Sequence, residues 1–354
     1  MDKLADSLRH SPELFPHAFD AVGDTMKFVR LQRADYDGAS FLDERVLTPR
    51  TASSVMPWAE AAQAIAMADL EERCHFIFHI GHVGSTLLSR LLGAVPGAFS
   101  VREPLVLRTL SQVREPRAQV PWAGDGAAFE AHLGGCLKLL SRTFVAQQVA
   151  IVKATSFVSE MAAELLTRGS APKAVLMYVS AESYLATILG GANSRHEAVL
   201  LAPSRWQRMQ RRLGAHPSNA APLGEGETLA MSWACEMAGL VAAGVAGVAG
   251  ERVLPLDFDR FLAEPARWLQ AACRHLDLQA SAAELDMLLA GPLMHRYSKG
   301  LEHPYDAGLR RDVLNHARHV HGLEIRRGLR WLDRLAASHP TLGGVLAFAA
   351  GQTT

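Results

Sequence analysis

The stretch Cys74–Leu92, CHFIFHIGHVGSTLLSRLL, runs an apolar, strand-like segment into a glycine turn and then into a helical pattern. In an α/β sheet, such a turn presents unpaired backbone N–H groups at the positive end of the next helix. That place attracts phosphate or sulfate without any side-chain cation. Gly81 and Gly84 permit close approach, and Ser85 and Thr86 supply hydroxyls. The loops of kinases and nucleotide hydrolases carry a lysine directly before the Ser/Thr, which reaches the β- and γ-phosphates. Here Gly84 holds that place, behind His82 and Val83. The turn reads either as an anion loop of another kind or as a plain helix start capped by Ser85.

Outward from the loop, the same texture repeats. Short β-rich runs, FIFHI, VAIVKA, KAVLMYVS and ERVLPLDF, alternate with helical stretches such as STLLSRLLGAV, SEMAAELLTRG and EPARWLQAACRHLDL. Continuous apolar strands separated by amphipathic helices predict an α/β fold of three layers, α/β/α, around a central parallel sheet. Residues 1–70 read as an N-terminal extension, partly helical, with its helix signal in WAEAAQAIAMADLEER. Residues 71–354 read as the α/β domain. A polar, basic, turn-rich helical insertion at about 190–230 is placed over the active site.

Composition excludes several classes of function. Acidic and basic residues balance at 36 each among 354, so no global field draws the chain to nucleic acid or to an acidic membrane face. The six tryptophans are not interleaved with basic residues at base-stacking spacing, which also argues against nucleic acid. Cys74, Cys136, Cys235 and Cys273 lack paired spacing and read as reduced, buried thiols, pointing to the cytoplasm. The amino end has no signal-peptide core, and no window reaches the ~18 apolar residues of a membrane span. The richest window, LVAAGVAGVAG, reads as a buried helix. His316, His319 and His321 crowd one helical pattern without a Cys or Asp set beside them, so a solvated helix is expected there and no metal.

The segments GHVGSTLLSRLL, REPLVLRTL, IVKATS and VLPLDFDRFLAEPARWLQAACRHLDL occur in that order. Together they resemble the bacterial type of sulfotransferase that uses 3′-phosphoadenosine 5′-phosphosulfate (PAPS), over residues 75 to 310. The resemblance implies a P-loop NTPase-like sulfotransferase fold. It also implies that Gly81, His82, Val83, Gly84, Ser85 and Thr86 hold the 5′-phosphosulfate. The family's loop has the form Arg/Lys-x-Gly-Thr/Ser-Thr, so His82 stands here for its cation.

Sulfuryl transfer needs in-line placement, positive charge around the moving oxygens and a base for the acceptor's proton. Lys153, at the carboxyl end of VAIVKA, is the candidate for charge, because open α/β sheets place ligands at that end. Cytosolic members of the family follow this strand with Lys-Thr-His. Here Thr155 occupies the histidine's place, and the resemblance moves the base to Glu103 in SVREPLVL, where other members carry a glutamate. His82 is a second candidate, as a cation for the sulfate or as a base.

The family reads the 3′-phosphate with an Arg-Asp-Pro turn and a later serine. The matching VSAES, residues 179–183, offers Ser180, with Ser183 and Thr187 beyond it, and no arginine. Arg195 or the SRWQRMQRR helix could substitute, though the latter reads more simply as a solvated face. A later Arg-Lys-Gly element is partly kept in RYSKGLEHPYD, where Lys299 and Gly300 match, Ser298 replaces the arginine and Arg296 lies nearby.

The expectation is thus a sulfotransferase that moves a sulfuryl group from PAPS to a hydroxyl or amine of a small acceptor, such as a glycan, lipid or secondary metabolite. It needs no metal and has no nucleic-acid partner, and its oligomeric state stays open, a homodimer included. The alternatives are a nucleotide-dependent phosphotransferase on the same fold and a nucleotide-binding protein that has lost the chemistry.

Overall fold

The computed structural model describes residues 2–114, 120–122, 124–214, 223–245 and 250–351. Eight strands form two sheets: β1 (Leu14–Asp20), β2 (Thr25–Arg30), β3 (Ser53–Pro57), β4 (Cys74–His79), β5 (Ala98–Arg102), β6 (Val149–Lys153), β7 (Ala174–Tyr178) and β8 (Val253–Asp257). The central sheet is parallel throughout, in the order β5-β6-β4-β7-β8. Strands β5 and β7 are buried at every position, which explains the unbroken apolar run of β7, while β5 buries Ser100 and Arg102 as well.

Connection direction distributes the helices. The chain leaves β4 toward β5 through the helix Ser85–Gly93, whereas β5 to β6, β6 to β7 and β7 to β8 all run the other way across the sheet. Right-handed crossovers then place Ser85–Gly93 on one face and the intervening helices on the other, the three-layer arrangement expected. The direction reverses at β4, so its carboxyl end is the switch point where such sheets bind ligands. The helix Ser85–Gly93 is buried from Ser85 to Leu92, and a Cβ added at Gly93 would lie 2.7 Å from the Ser100 Cβ. That helix and β5 lie close together.

The first seventy residues contain more than helix. Besides helices Asp2–His10 and Trp58–Met67 they form an antiparallel sheet, β1-β2-β3, whose first strand is bulged between Pro16 and Ala18. Buried residues of this region, among them Phe15, Met26 and Phe28, belong to the same apolar core as the α/β layer. Three buried arginines of that layer hold the N-terminal backbone. Arg142 donates to the carbonyls of Ser11 and Leu14, at 3.0 and 2.7 Å. Arg102 donates to those of Tyr36 and Ala39, and Arg90 to those of Asp37 and Gly38. Burial lowers Arg102 to about 9 and Arg142 to about 10, a cost that these carbonyls, with the Ser100 hydroxyl and the Leu139 carbonyl, help to offset. The contacts set residues 37–45 against the carboxyl end of the central sheet.

The insertion is the helix Ala192–Leu213 followed by Glu225–Val245, while its connecting loop at 215–222 lies outside the described residues. The basic stretch of the first helix is not a solvated face. Arg205 and Arg208 are 5% and 3% exposed and both bind Glu236, at 2.9 and 2.8 Å. Burial alone would raise Glu236, yet these guanidiniums hold it below its ordinary value. Of LVAAGVAGVAG, residues up to Val245 end the second helix, and 246–249 lie outside the described residues. All four cysteines are free and buried. Among the described residues, no helix is long and apolar enough to cross a membrane, and no group of three or more His, Cys, Asp or Glu is arranged to hold a metal ion.

Candidate active site

A cavity of about 440 Å³ opens at the carboxyl end of β4, within the range of about 300–1,000 Å³ usual for small-molecule sites. The loop at 81–86 lines it, with Gly81, His82 and Gly84 all at positive φ (84°, 56° and 66°). This succession of turns reverses the chain within a few residues and opens the helix Ser85–Gly93, with Gly84 as its N-cap. An added Cβ at Gly84 would lie 2.1 Å from the Phe258 ring, so glycine is required there twice over. Thr86 is 1% exposed, and its hydroxyl has no hydrogen-bond partner, an unusual state for a buried polar group.

Parallel pairing of β5 with β6 brings the two charged candidates together. Arg102 is in register with Lys153, and the next residue, Glu103, donates its amide to the Lys153 carbonyl at 2.6 Å. Glu103 sits at φ 52°, a sparsely populated conformation for a non-glycine, and its carboxylate forms an ion pair with Lys153. Lys153 is 0% exposed and does not itself line the cavity, whereas Glu103 does. Burial lowers Lys153 from 10.5 to about 8, against the opposing pull of Glu103. The neighbouring arginines are not competitors for Glu103. Arg102 is committed to carbonyls, and Arg108 lies over the Phe157 ring, 4.9 Å from its centre.

His82 turns away from this pair. Its Nδ1 is 3.5 Å from the Ser194 hydroxyl and its Nε2 is 3.5 Å from Glu197, both on the helix Ala192–Leu213. His82, first by hydrogen bonding and then by charge, holds the Glu197 carboxyl below its ordinary value.

The residues expected at the 3′-phosphate divide. Thr187, Arg296 and Lys299 line the cavity. Ser180 does not: its hydroxyl accepts the Ser183 amide at 3.2 Å and caps the helix Ala181–Leu189. Gly300 is also outside the lining and shapes a turn, donating to the Tyr297 carbonyl at 2.9 Å. Arg195 is paired in two-pronged fashion with Glu225, at 2.8 and 2.9 Å. Arg90 donates to the Ser298 carbonyl at 3.0 Å and so ties the 298–299 segment to the helix that follows the loop.

Four further side chains of the wall escaped the sequence reading. Arg310, 6% exposed, pairs with Asp259 at 2.9 Å and stands over Phe258. Arg45 lies 3.6 Å from the centre of the Phe41 ring, and that ring also has the ammoniums of Lys153 and Lys299 at 5.5 and 5.7 Å. His79, last residue of β4, is 5% exposed and lines the cavity. Only its place at the end of a strand entering the loop could have flagged it, because inside FIFHI it reads as one more buried strand residue.

The fold and site define a three-layer α/β protein with an anion-type loop at its switch point and a carboxylate beside it. No family model matches the chain, and no curated protein matches it. Solved structures similar to it include the sulfotransferase domain from the curacin biosynthetic pathway (17% identity, 66% of this chain and 83% of that one, TM-score 0.38). Others are the sulfotransferase domain of the Synechococcus PCC 7002 olefin synthase (14% identity, 70% and 89%, TM-score 0.40) and sulfotransferase STF9 from Mycobacterium avium (11% identity, 74% and 80%, TM-score 0.40). These likenesses are weak, and the reading of the site rests on its own residues.

Proposed function

We propose that the protein is a sulfotransferase that moves a sulfuryl group from PAPS to a hydroxyl or amine of a small acceptor. The observation that carries this reading is Glu103, anchored by Lys153 behind it, on a cavity lined by a glycine loop with an unpartnered buried hydroxyl, Thr86. The residues present suit a phosphosulfate. The 84–86 amides and hydroxyls would hold its anionic end, and Arg296 would face a 3′-phosphate. When bound, the nucleotide supplies an activated sulfuryl group.

The chain's own part is placement and proton handling. Glu103 is held on the cavity by its backbone bond and its ion pair with Lys153, so its carboxylate can take the acceptor's proton without first reorienting. Lys153 acts through Glu103: it is sealed beneath the carboxylate, fixing its position and countering its charge. This differs from a lysine that touches the sulfuryl oxygens. Positive charge on those oxygens is left to the loop amides, with Lys299, Arg310 and Arg45 on the wall.

Calorimetric titration with 3′-phosphoadenosine 5′-phosphate, ATP and GDP tests the reading, together with release of the bisphosphate from PAPS over a panel of hydroxyl and amine acceptors. The bisphosphate is expected to bind tightest, with turnover unaffected by a metal chelator. Binding no better than ATP would remove the sulfotransferase assignment, and chelator-sensitive transfer from ATP would replace it with a phosphotransferase.

A further inference from the structure

His79 has two ring nitrogens in very different situations. Its Nδ1 lies 3.0 Å from the Gly81 amide, and a backbone N–H can only donate, so Nδ1 is the acceptor and carries no proton. In a neutral imidazole the proton then sits on Nε2. That nitrogen is buried and has no hydrogen-bond partner. Glu103 Oε1 lies 3.8 Å from it, beyond hydrogen-bond reach and already occupied by Lys153. The ring is held neutral: burial, and then Lys153 and Lys299, push His79 well below the ordinary histidine range, against a smaller opposing pull from the Ala154 backbone. The structure therefore fixes a neutral N–H beside the base and next to the loop.

We propose that His79 Nε2–H donates a hydrogen bond to an anionic oxygen of the sulfuryl group seated between the loop and Glu103. The proposal rests on the sulfotransferase reading for the identity of that group and adds a binding residue to it. An anionic oxygen is the ligand atom that suits this nitrogen, because an orphaned donor in a buried, cation-bordered cavity is best satisfied by an acceptor carrying charge. An imidazolium would add charge to a wall that Lys153 and Lys299 already make basic. A neutral donor supplies direction instead, and it is pre-aimed by the Gly81 amide, which belongs to the loop itself.

Two side-chain amides separate the donor from a merely structural histidine. His79→Asn can still accept the Gly81 amide near the Nδ1 position but has nothing at Nε2. His79→Gln can place an N–H near Nε2 while giving up the near acceptor. Sulfate affinity is expected to drop in His79→Asn and to hold within a few-fold in His79→Gln. Bisphosphate release from PAPS is expected to fall about 10²-fold in His79→Asn, the usual effect of deleting one oxyanion donor. In the wild-type full chain labelled at histidine nitrogens, the magnetic resonance spectrum should show His79 as the Nε2–H tautomer through the neutral range, and inorganic sulfate should shift that signal.

An Nδ1–H or doubly protonated ring, a signal indifferent to saturating sulfate, or a His79→Asn chain that binds sulfate like wild type would overturn the proposal. If the His79 signal responds to sulfate but the bisphosphate binds no better than ATP and no sulfuryl moves, the sulfotransferase reading fails and the anion donor stands.

Discussion

Two carboxylates with basic partners flank the same loop, and burial separates them. Glu103 and Lys153 stand at the ends of neighbouring parallel strands, locked by strand register, with the lysine 0% exposed. His82 and Glu197 join the loop to the helix Ala192–Leu213 at 3.5 Å, with side chains 23% and 59% exposed. Water screens the second pair and lets either partner be replaced by solvent, whereas nothing can replace the first. A pair that must hold one geometry during a reaction belongs in the first situation. A pair that adjusts as a ligand enters belongs in the second.

The largest effect is therefore expected at Glu103. Glu103→Gln keeps the shape and removes the proton acceptor, so kcat should fall by about 10²–10⁴-fold while calorimetry shows bisphosphate affinity nearly unchanged. Undiminished turnover would transfer the base to another group and leave His82 as the remaining candidate.

Lys153→Met comes next, with turnover expected to fall about 10²-fold as Glu103 loses its anchor. The variant also has a signature in stability. Lys153 is lowered from 10.5 to about 8, so between those values the unfolded chain binds more protons than the folded one, and the contribution of Lys153 to stability grows as pH rises through that window. The difference in unfolding free energy, wild type minus Lys153→Met, should accordingly increase from about pH 8 toward 10.5. A flat difference would show that the lysine keeps its ordinary affinity for protons and is not sealed beneath Glu103.

Arg296 should respond more mildly. Arg296→Ala is expected to weaken the bisphosphate by about tenfold, while sulfate affinity changes little. Equal losses for both ligands would place Arg296 at the sulfuryl end of the cavity.

These contrasts also mark what the sequence could reveal. The loop and Lys153 were legible because each sits at the carboxyl end of a strand whose apolar run announces it. Glu103 was legible only through the family resemblance, since β5, AFSVR, carries Ser100 and Arg102 and shows no such run. Arg310, Phe41 and Arg45 were not legible. They reach the cavity through contacts such as Arg90 with Gly38 and Ser40 and Arg310 with Asp259, which join distant segments and leave no local pattern. The sheet β1-β2-β3 escaped for a different reason: β1 carries a proline and a bulge, and β3 is mostly exposed, so neither shows clean alternation. Ser180 shows a different role from the one expected. A serine at a strand end resembles a ligand-binding hydroxyl, but its place before Ala181–Leu189 makes it a helix cap.

Glu197→Gln should have the smallest effect. Exposed pairs contribute about 0–1 kcal/mol, so the melting temperature should barely move and turnover should stay within about threefold. Adding salt distinguishes this pair from Glu103–Lys153: screening should abolish what little the His82–Glu197 contact contributes, while the buried pair is insulated. His82→Gln should behave likewise if the ring only ties the loop to the helix. If His82→Gln instead costs sulfate affinity as much as His79→Asn, the histidine at the loop tip is the cation the loop otherwise lacks, and its contact with Glu197 is the ligand-free resting place from which it swings to the anion.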